Sequence, residues 1–373
     1  MEEKNITVAI HCEENADNDV YGAKKALAQG LINGFNKIGI KAFSSKQCIE
    51  DNIPFNLALG FDTAGLDIWQ KILNSNTPNI MWSLDSIFSK HYKIAKTFAS
   101  FPNFILFEAT QADIQATGTY LPTLKHGYIP VGVDTEFWKK EECKKENDIV
   151  FFATIKDYNE IIDNLKKTMP ELVFNLMMEI LAIALKSPSL NFWQIYQAIK
   201  ETCSLQLDAD QYMLLFQNIA DIVTNRQKIK LVQALSEFDL KIYGNEEWKK
   251  YISGSQKYMG PCSIQETVQI LNKSKIALHT HPFALCSGLH ERVLNAAAVQ
   301  TFCLCSDTPS FRLEFGDALG YFSCKDINDA AKQAQYFLDN EDERLQKAQK
   351  AQNIIKEKHD WSTRATSIMK IVR

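Results

Sequence analysis

The chain has 373 residues, of which 46% are hydrophobic and 23% are charged, a composition typical of a folded globular protein. At about 150 residues per domain, this length predicts two domains. Lysine and arginine number 41, and aspartate and glutamate number 45, so the net charge is −4. A chain this close to neutral has no overall charge to attract nucleic acid or an anionic membrane surface, and neither partner is expected.

The cysteines and the N-terminus predict a cytoplasmic protein. The nine cysteines are odd in number and include no CxxC pair, which is typical of reduced thiols rather than of a disulfide framework. The start of the chain is acidic and lacks the basic and apolar segments of a signal peptide. No apolar run approaches about 18 residues, so no transmembrane helix is expected.

The first part of the chain alternates short apolar runs with helical segments. Residues 21–37 predict a helix because Leu27, Leu31 and Phe35 recur at helical spacing. Apolar runs predict strands at residues 6–10, 40–43, 55–59, 79–82 and 104–107. This alternation predicts a parallel sheet covered by helices, which we assign to an N-terminal Rossmann-like domain over residues 1–138.

A second series of strands follows a polar linker at residues 139–148. Its strands are predicted at residues 148–153, 239–244, 275–279, 301–305 and 320–322. Between the first two of them, residues 159–235 predict a helical insertion within a second Rossmann-like domain over residues 139–355. The insertion carries no motif of its own, and it is a candidate surface for homo-oligomer formation or for acceptor recognition.

The last segment, residues 356–373, predicts a helix that packs back on the N-terminal domain. Trp361, Ile368 and Ile371 form an apolar stripe suited to this packing. Two Rossmann-like domains predict an α/β protein in which a cleft between the domains holds the ligand, at the carboxyl ends of the strands. This architecture is shared by GT-B glycosyltransferases, some epimerases and periplasmic binding proteins, and the fold does not choose among them.

The most specific pattern runs from a strand that ends at His279 to a helix that begins near His290. Its elements, with others upstream, occur in a definite order: Pro78 to Ser86, His126 to Asp134, Asp239 to Gly244, Ser287-Gly288, Arg292, Ala296 to Ala298, Phe302 to Leu304 and Tyr321-Phe322. In this order and spacing, the chain resembles the CgeB type of glycosyltransferase-like proteins over most of residues 75–370.

The resemblance implies an enzyme of GT-B fold that moves a sugar from a nucleotide-sugar donor to a glycan, lipid or protein acceptor, without a cofactor. Such a donor carries a diphosphate, which peptide N–H groups at a helix N-terminus and a nearby arginine are suited to hold. Ser287, Gly288 and Arg292 supply a small-residue loop and an arginine in the first turns of the following helix, and Gly288 lets the backbone approach closely. Protein groups rather than Mg²⁺ are therefore expected to neutralise the diphosphate.

Further donor-binding candidates lie at strand ends and helix starts of the same domain. They are Tyr243 and Gly244 after one strand, His279 at the end of another, and His290 and Glu291 at the start of the helix. His279 and His281 are two residues apart, but no third ligand accompanies them, and no metal site is expected.

Two positions depart from the pattern of the family. Asn295 lies where many CgeB-like proteins carry a carboxylate for the donor ribose, and Gln300 replaces a usual glycine. These departures motivate a second hypothesis, a sugar-nucleotide-binding partner or scaffold protein without catalysis. A third hypothesis is a GT-B-fold sugar-nucleotide epimerase, against which the long helical insertion argues.

Transfer with inversion needs a general base for the acceptor hydroxyl. Asp85, in the turn after a predicted strand, is the first candidate, and His11, at the end of the first strand, is the second. Asp17, Asp19 and Asp62 also lie in suitable loops. Aspartate in such positions equally serves as a helix N-cap or turn residue.

Overall fold

The computed structural model describes residues 6–11, 23–62, 77–187, 190–203 and 205–372. The chain divides into two units. The first comprises Met1–Lys139 and Ile354–Arg373, and the second comprises Lys140–Asn353. Each unit has a six-stranded parallel sheet with helices around it, so the predicted α/β class is confirmed.

The sheet of the first unit has the order β2-β1-β3-β4-β5-β6. Its strands are β1 Thr7–His11, β2 Lys41–Ser44, β3 Leu57–Phe61, β4 Asn79–Ser83, β5 Phe104–Glu108 and β6 Lys125–Tyr128. The helices among them are α1 Ala23–Lys37, α2 Ser45–Glu50, α3 Ile87–Lys90, α4 Tyr92–Phe98 and α5 Gln111–Tyr120. Strands β3 and β4 are buried along their whole length, as expected of parallel strands covered on both faces.

The sheet of the second unit has the order β12-β11-β10-β7-β8-β9. Its strands are β7 Asn147–Phe152, β8 Leu240–Tyr243, β9 Lys257–Gly260, β10 Ser274–His279, β11 Phe302–Ser306 and β12 Gly320–Phe322. The helices are α6 Tyr158–Thr168, α7 Glu171–Lys186, α8 Phe192–Cys203, α9 Ala209–Ala234, α10 Ile264–Asn272, α11 Glu291–Ala298, α12 Pro309–Phe315, α13 Asp329–Asp339 and α14 Glu341–Ile354. Because β10 and β7 are central, their ends lie in the middle of the carboxyl edge of the sheet.

Helices α6 to α9 occupy the segment between β7 and β8 that was predicted to be helical. The last of them, α9, begins at a capping box in which Asp208 and Gln211 bond to each other's backbone N–H groups. Its final turns place Ile229 and Val232 in the core beneath the sheet, so this segment shares the core of the second unit. In the described part of the chain, no helix is long and apolar enough to cross a membrane.

The terminal helix α15, Trp361–Val372, belongs to the first unit and packs against α1. Trp361 and Ile368 are buried, but Ile371 is 51% exposed, so its predicted place in the apolar stripe is wrong. Ile371 lies in the last turn of α15 and is rotated about 80° around the helix axis from Trp361, partly away from the face that α1 covers. Gly34 of α1 lies directly against the backbone of Trp361, and this close approach fixes where α15 docks.

Candidate functional site

Three histidines converge at the carboxyl end of β10. His279 ends this strand, His281 follows it, and His290 immediately precedes α11. The ring centroid of His279 is 4.6 Å from that of His290 and 6.0 Å from that of His281. All three side chains are buried. In parallel α/β sheets this edge is where ligands bind, so the cluster marks a candidate site.

These histidines are held neutral. Burial lowers the pKa of His279 and of His290 well below the usual value, and the nearby Arg292 and Lys228 lower it further. Burial likewise lowers the pKa of His281, to about 4. Neutral imidazoles offer hydrogen bonds but no charge, so any charge that an anion needs in this site comes from other residues.

The N-terminus of α11 is capped by one of these histidines. The backbone N–H of Arg292 donates to Nδ1 of His290 at 3.2 Å, which satisfies one of the free N–H groups of the first turn. The preceding turn closes through Gly288, whose N–H donates to the carbonyl oxygen of Leu285 at 2.7 Å. Ser287 is half-buried in this loop. The loop and helix start predicted from the sequence are therefore assembled at this edge.

Two cations lie close to the histidines. Arg292 is half-buried, and within the described residues its side chain has no hydrogen bond or ion pair, so it does not pair with Glu291 or Asp317. Lys228 reaches the same region from α9, where its Nζ donates to the carbonyl oxygen of Thr154 at 3.0 Å. The sequence pattern predicts no role for Lys228. Only the packing of α9 on the sheet brings it near Arg292.

Tyr243 ends β8 and Gly244 follows it, two strands away from β10 in the sheet. The Tyr243 ring stacks on Phe152 with centroids 5.2 Å apart and planes at 20°, and burial raises the pKa of its hydroxyl. Gly244 has a structural reason to be glycine, because a Cβ there would overlap the carbonyl oxygen of Ala153. Trp248 is fully buried in the core and donates to that same oxygen at 2.6 Å.

Asn295 and Glu291 lie on α11 beside Arg292. The Asn295 side chain is half-buried and has no hydrogen bond within the described residues, so it is available to a ligand. Glu291 is half-buried, with Oε2 3.3 Å from Nδ1 of His290. Its negative charge disfavours a phosphate but suits a hydroxyl. Among the described residues, no group of three His, Cys, Asp or Glu side chains is arranged to hold a metal ion.

The two base candidates of the first unit lie on separated strands. His11 ends β1 and is buried, with Nδ1 2.8 Å from the Ser45 hydroxyl oxygen. Asp85 is half-buried in the turn after β4, and β3 separates these two strands in the sheet. Asp17 and Asp19 lie outside the described residues.

Asp62, also predicted from its loop, lies between those two candidates. It follows β3 with a φ of +51°, and its Oδ1 accepts the Leu84 N–H at 2.9 Å. The same oxygen is 3.6 Å from Nε2 of His91, a residue that the sequence analysis did not single out. Its closeness to Asp62 arises from tertiary packing at the end of α3.

Comparison with known proteins indicates which class of enzyme the chain resembles. Residues 226–370 match a family model described as "Glycosyl transferase-like". Solved structures that match nearly the whole chain include sucrose-phosphate synthase from Thermosynechococcus elongatus, which is 9% identical over 98% of both chains with a TM-score of 0.56. No curated protein sequence matches the chain.

Two further matching structures are complexes with UDP or UDP-glucose. Anabaena Alr3699/HepE in complex with UDP and glucose is 9% identical over 99% of both chains, with a TM-score of 0.54. T4 phage BGT in complex with UDP-glucose is 9% identical over 99% of both chains, with a TM-score of 0.56. The fold is thus the GT-B fold, as predicted. Residues 226–370, which contain Lys228, the three histidines and Arg292, form a glycosyl transferase-like region, in agreement with the predicted class of enzyme.

Proposed function

We propose that the protein transfers a sugar from a nucleoside-diphosphate sugar to an acceptor hydroxyl. The observation that carries this proposal is the pair of cations, Arg292 and Lys228, beside the N-terminus of α11. A diphosphate is the part of such a donor that needs positive charge and peptide N–H groups. With a net charge of −4, the chain as a whole does not attract this anion, so the local pair has to hold it.

The same pair supports transfer without a metal ion. In a site with two cations at the diphosphate, protein charge does the work that Mg²⁺ does elsewhere. The stacked rings of Phe152 and Tyr243 offer a flat surface for a nucleobase, and Asn295 offers amide groups to the ribose. Two structural neighbours are complexes with UDP or UDP-glucose, so uridine nucleotides are the first ligands to test.

Binding of nucleotides by calorimetry tests this proposal. Wild-type protein is titrated with UDP, GDP, CDP and ADP, with and without Mg²⁺. We expect one nucleotide to bind in both conditions. Arg292→Gln and Lys228→Gln should each weaken its binding about 10- to 100-fold, because a charge-assisted hydrogen bond contributes about 1.5–3 kcal/mol.

Lys350→Gln is the control for loss of one positive charge. Lys350 is exposed and pairs with Asp317 on the surface of the same unit, and its loss should leave nucleotide binding unchanged. Failure of all four nucleotides to bind wild-type protein would refute the proposal. Equal weakening by Lys350→Gln would show that net charge, not this site, governs binding.

A second function, nucleotide-sugar binding without catalysis, is favoured by one observation. Asn295 supplies no charge where many CgeB-like proteins carry a carboxylate, and its side chain has no hydrogen bond to any of the described residues. The two functions differ in turnover. We expect slow release of free sugar from the bound donor by the wild-type protein, measured by chromatography. No release with any donor that binds would favour the non-catalytic function.

The proposed acceptor is a glycan, a lipid or a protein. Asp85 is our first candidate for the base because it is half-buried, whereas His11 is buried and in contact with Ser45. Loss of transfer with retained nucleotide binding in Asp85→Asn would support this role. Retained transfer in that variant would exclude it.

We also propose a CgeB-like protein that acts in the cytoplasm. The order of motifs supports the subfamily, and free thiols such as Cys303 and Cys305 on β11 fit a reducing compartment. The helices between β7 and β8 expose Leu172, which supports the proposed self-association. Sedimentation of the full chain measures its oligomeric state.

A further inference from the structure

Three consecutive residues at the end of β10 leave polar atoms unpaired. Within the described residues, His279 Nε2, Thr280 Oγ1 and His281 Nδ1 have no hydrogen-bond partner. Their side chains are nevertheless almost fully buried, with residue exposures of 3%, 3% and 5%. Buried polar atoms are nearly always bonded, and each one left unpaired costs about 1–3 kcal/mol. Three such atoms in one place point to a ligand that completes them.

The hydrogen-bonding character of one of these atoms follows from its ring. Nε2 of His281 contacts the carbonyl oxygen of Leu285, and a carbonyl only accepts, so Nε2 carries the proton. In a neutral imidazole the other nitrogen is then an acceptor. His281 Nδ1 therefore accepts, while the Thr280 hydroxyl both donates and accepts. Together they match a group that is itself both donor and acceptor, such as a sugar hydroxyl.

These atoms lie beside the charged part of the site. The His279 ring is 4.6 Å from that of His290, the residue that caps α11. Arg292 and Lys228, which we assign to the diphosphate, carry the charge, whereas burial lowers the pKa of His279 and keeps it neutral. Two neutral groups flank the diphosphate in a donor of this class, the ribose and the sugar, and since we assign the ribose to Asn295, the sugar is the group left for these atoms.

We propose that His279, Thr280 and His281 form a subsite for the hydroxyl groups of an uncharged sugar on the donor, an inference that rests on the proposed function. Each bond to the sugar is made only when the sugar is present. The subsite therefore contributes to the affinity for the nucleotide-sugar and not to the affinity for the nucleoside diphosphate alone.

Paired titrations with UDP and UDP-glucose test this inference, with GDP and GDP-mannose as the second pair. Thr280→Val removes the unpaired hydroxyl at nearly constant shape. We expect it to weaken the nucleotide-sugar about 5- to 10-fold, the equivalent of about 1 kcal/mol, and to leave the nucleoside diphosphate within about twofold. His279→Phe should behave likewise, because it keeps a ring but removes both nitrogens.

Thermal unfolding of the ligand-free variants provides an independent readout. Thr280→Val should keep or raise Tm, since it removes a buried hydroxyl that has no partner in the described part of the chain. Thr301→Val is the matched control, because the buried Thr301 hydroxyl donates to the Leu271 carbonyl at 2.6 Å. It should lower Tm and leave the difference in affinity between UDP and UDP-glucose unchanged.

Each outcome has one meaning. If wild-type protein binds no nucleotide, the proposed function fails, and the subsite fails with it. If nucleotides bind, two results refute only the subsite. In the first, Thr280→Val and His279→Phe weaken the binding of UDP and UDP-glucose equally; in the second, they weaken the binding of neither ligand. In the last case these polar atoms are bonded to buried water rather than to a sugar.

Discussion

The docking of the terminal helix α15 on α1 rests on a glycine. A Cβ placed at Gly34 would lie 2.6 Å from both the backbone carbon and the oxygen of Trp361, well inside van der Waals contact. Because these are backbone atoms, no change of side-chain rotamer relieves the overlap, and α15 has to shift. Overpacking of this kind costs about 1–3 kcal/mol. We therefore expect Gly34→Ala to destabilise the first unit.

Gly118→Ala is the matched control. Gly118 also lies in a helix, α5, but its added Cβ would meet no atom closer than 3.9 Å. Both substitutions gain helix propensity, about 0.5–1 kcal/mol in a helix interior, so the difference between them isolates the contact with Trp361. We expect Gly34→Ala to unfold in urea with a free energy about 1–3 kcal/mol lower than Gly118→Ala.

A third glycine sharpens the assignment of the contact. A Cβ at Gly30 would overlap the indole ring of Trp361 rather than its backbone. Trp361→Leu should therefore partly rescue Gly30→Ala but not Gly34→Ala in a double-mutant cycle. Hydrogen exchange of the 361–372 segment should rise in Gly34→Ala. If Gly34→Ala is as stable as Gly118→Ala, with exchange in that segment unchanged, the close packing of α1 on α15 is refuted.

Two more predictions concern one buried carboxyl and one strand end. Burial and the Glu108 carboxylate raise the pKa of Asp113 well above its usual value. The folded state therefore binds a proton that the unfolded chain releases. The stability that this group contributes falls as the pH rises from the unfolded-state pKa through the folded-state pKa. Asp113→Asn should thus raise Tm more at pH 8 than at pH 5 in calorimetric scans, because pH 5 lies only about one unit above the unfolded-state pKa of about 3.9. A larger gain at pH 5 would contradict the assigned direction. Gly244→Ala should lower Tm by several degrees or abolish folding of the second unit, because its Cβ would overlap the Ala153 carbonyl oxygen, and a Tm equal to that of the wild type in circular dichroism would contradict this packing.

Strands buried on both faces were predictable, whereas two of the four edge strands, β6 and β9, were not. The run Leu57–Phe61 is buried throughout, so its apolar letters predict a strand within two residues of its observed bounds. Strand β9, Lys257–Gly260, is at the edge of its sheet and only half covered. Strand β6, Lys125–Tyr128, is likewise an edge strand with polar letters. Pairing through the backbone rather than burial defines such strands, and the sequence pattern does not record backbone pairing.

Some residues of the candidate site were likewise predictable from the sequence, and others were not. The loop from Ser287 to Arg292 is local in sequence, and its small residues, helix start and arginine were visible there. Lys228 comes from a helix more than fifty positions earlier in the chain, and only packing of α9 on the sheet brings it to Arg292. His91 meets Asp62 in the same manner. A sequence pattern shows which residue types are present near a strand end but not which distant side chain reaches it.

The two cations of the site also affect the protonation of the histidine beside them. Burial lowers the pKa of His279 most, and nearby positive charges, including those of Arg292 and Lys228, lower it further, since a second positive charge so near is unfavourable. A protonated His279 would add a positive charge to the site, and both of its ring nitrogens would then only donate hydrogen bonds. In the proposed donor site the two cations thus have a second role: together with burial, they keep the adjoining imidazole in the neutral form that suits an uncharged group. A donor with a diphosphate at one end and a neutral sugar at the other fits this division, and a doubly anionic ligand without a sugar would use only half of it.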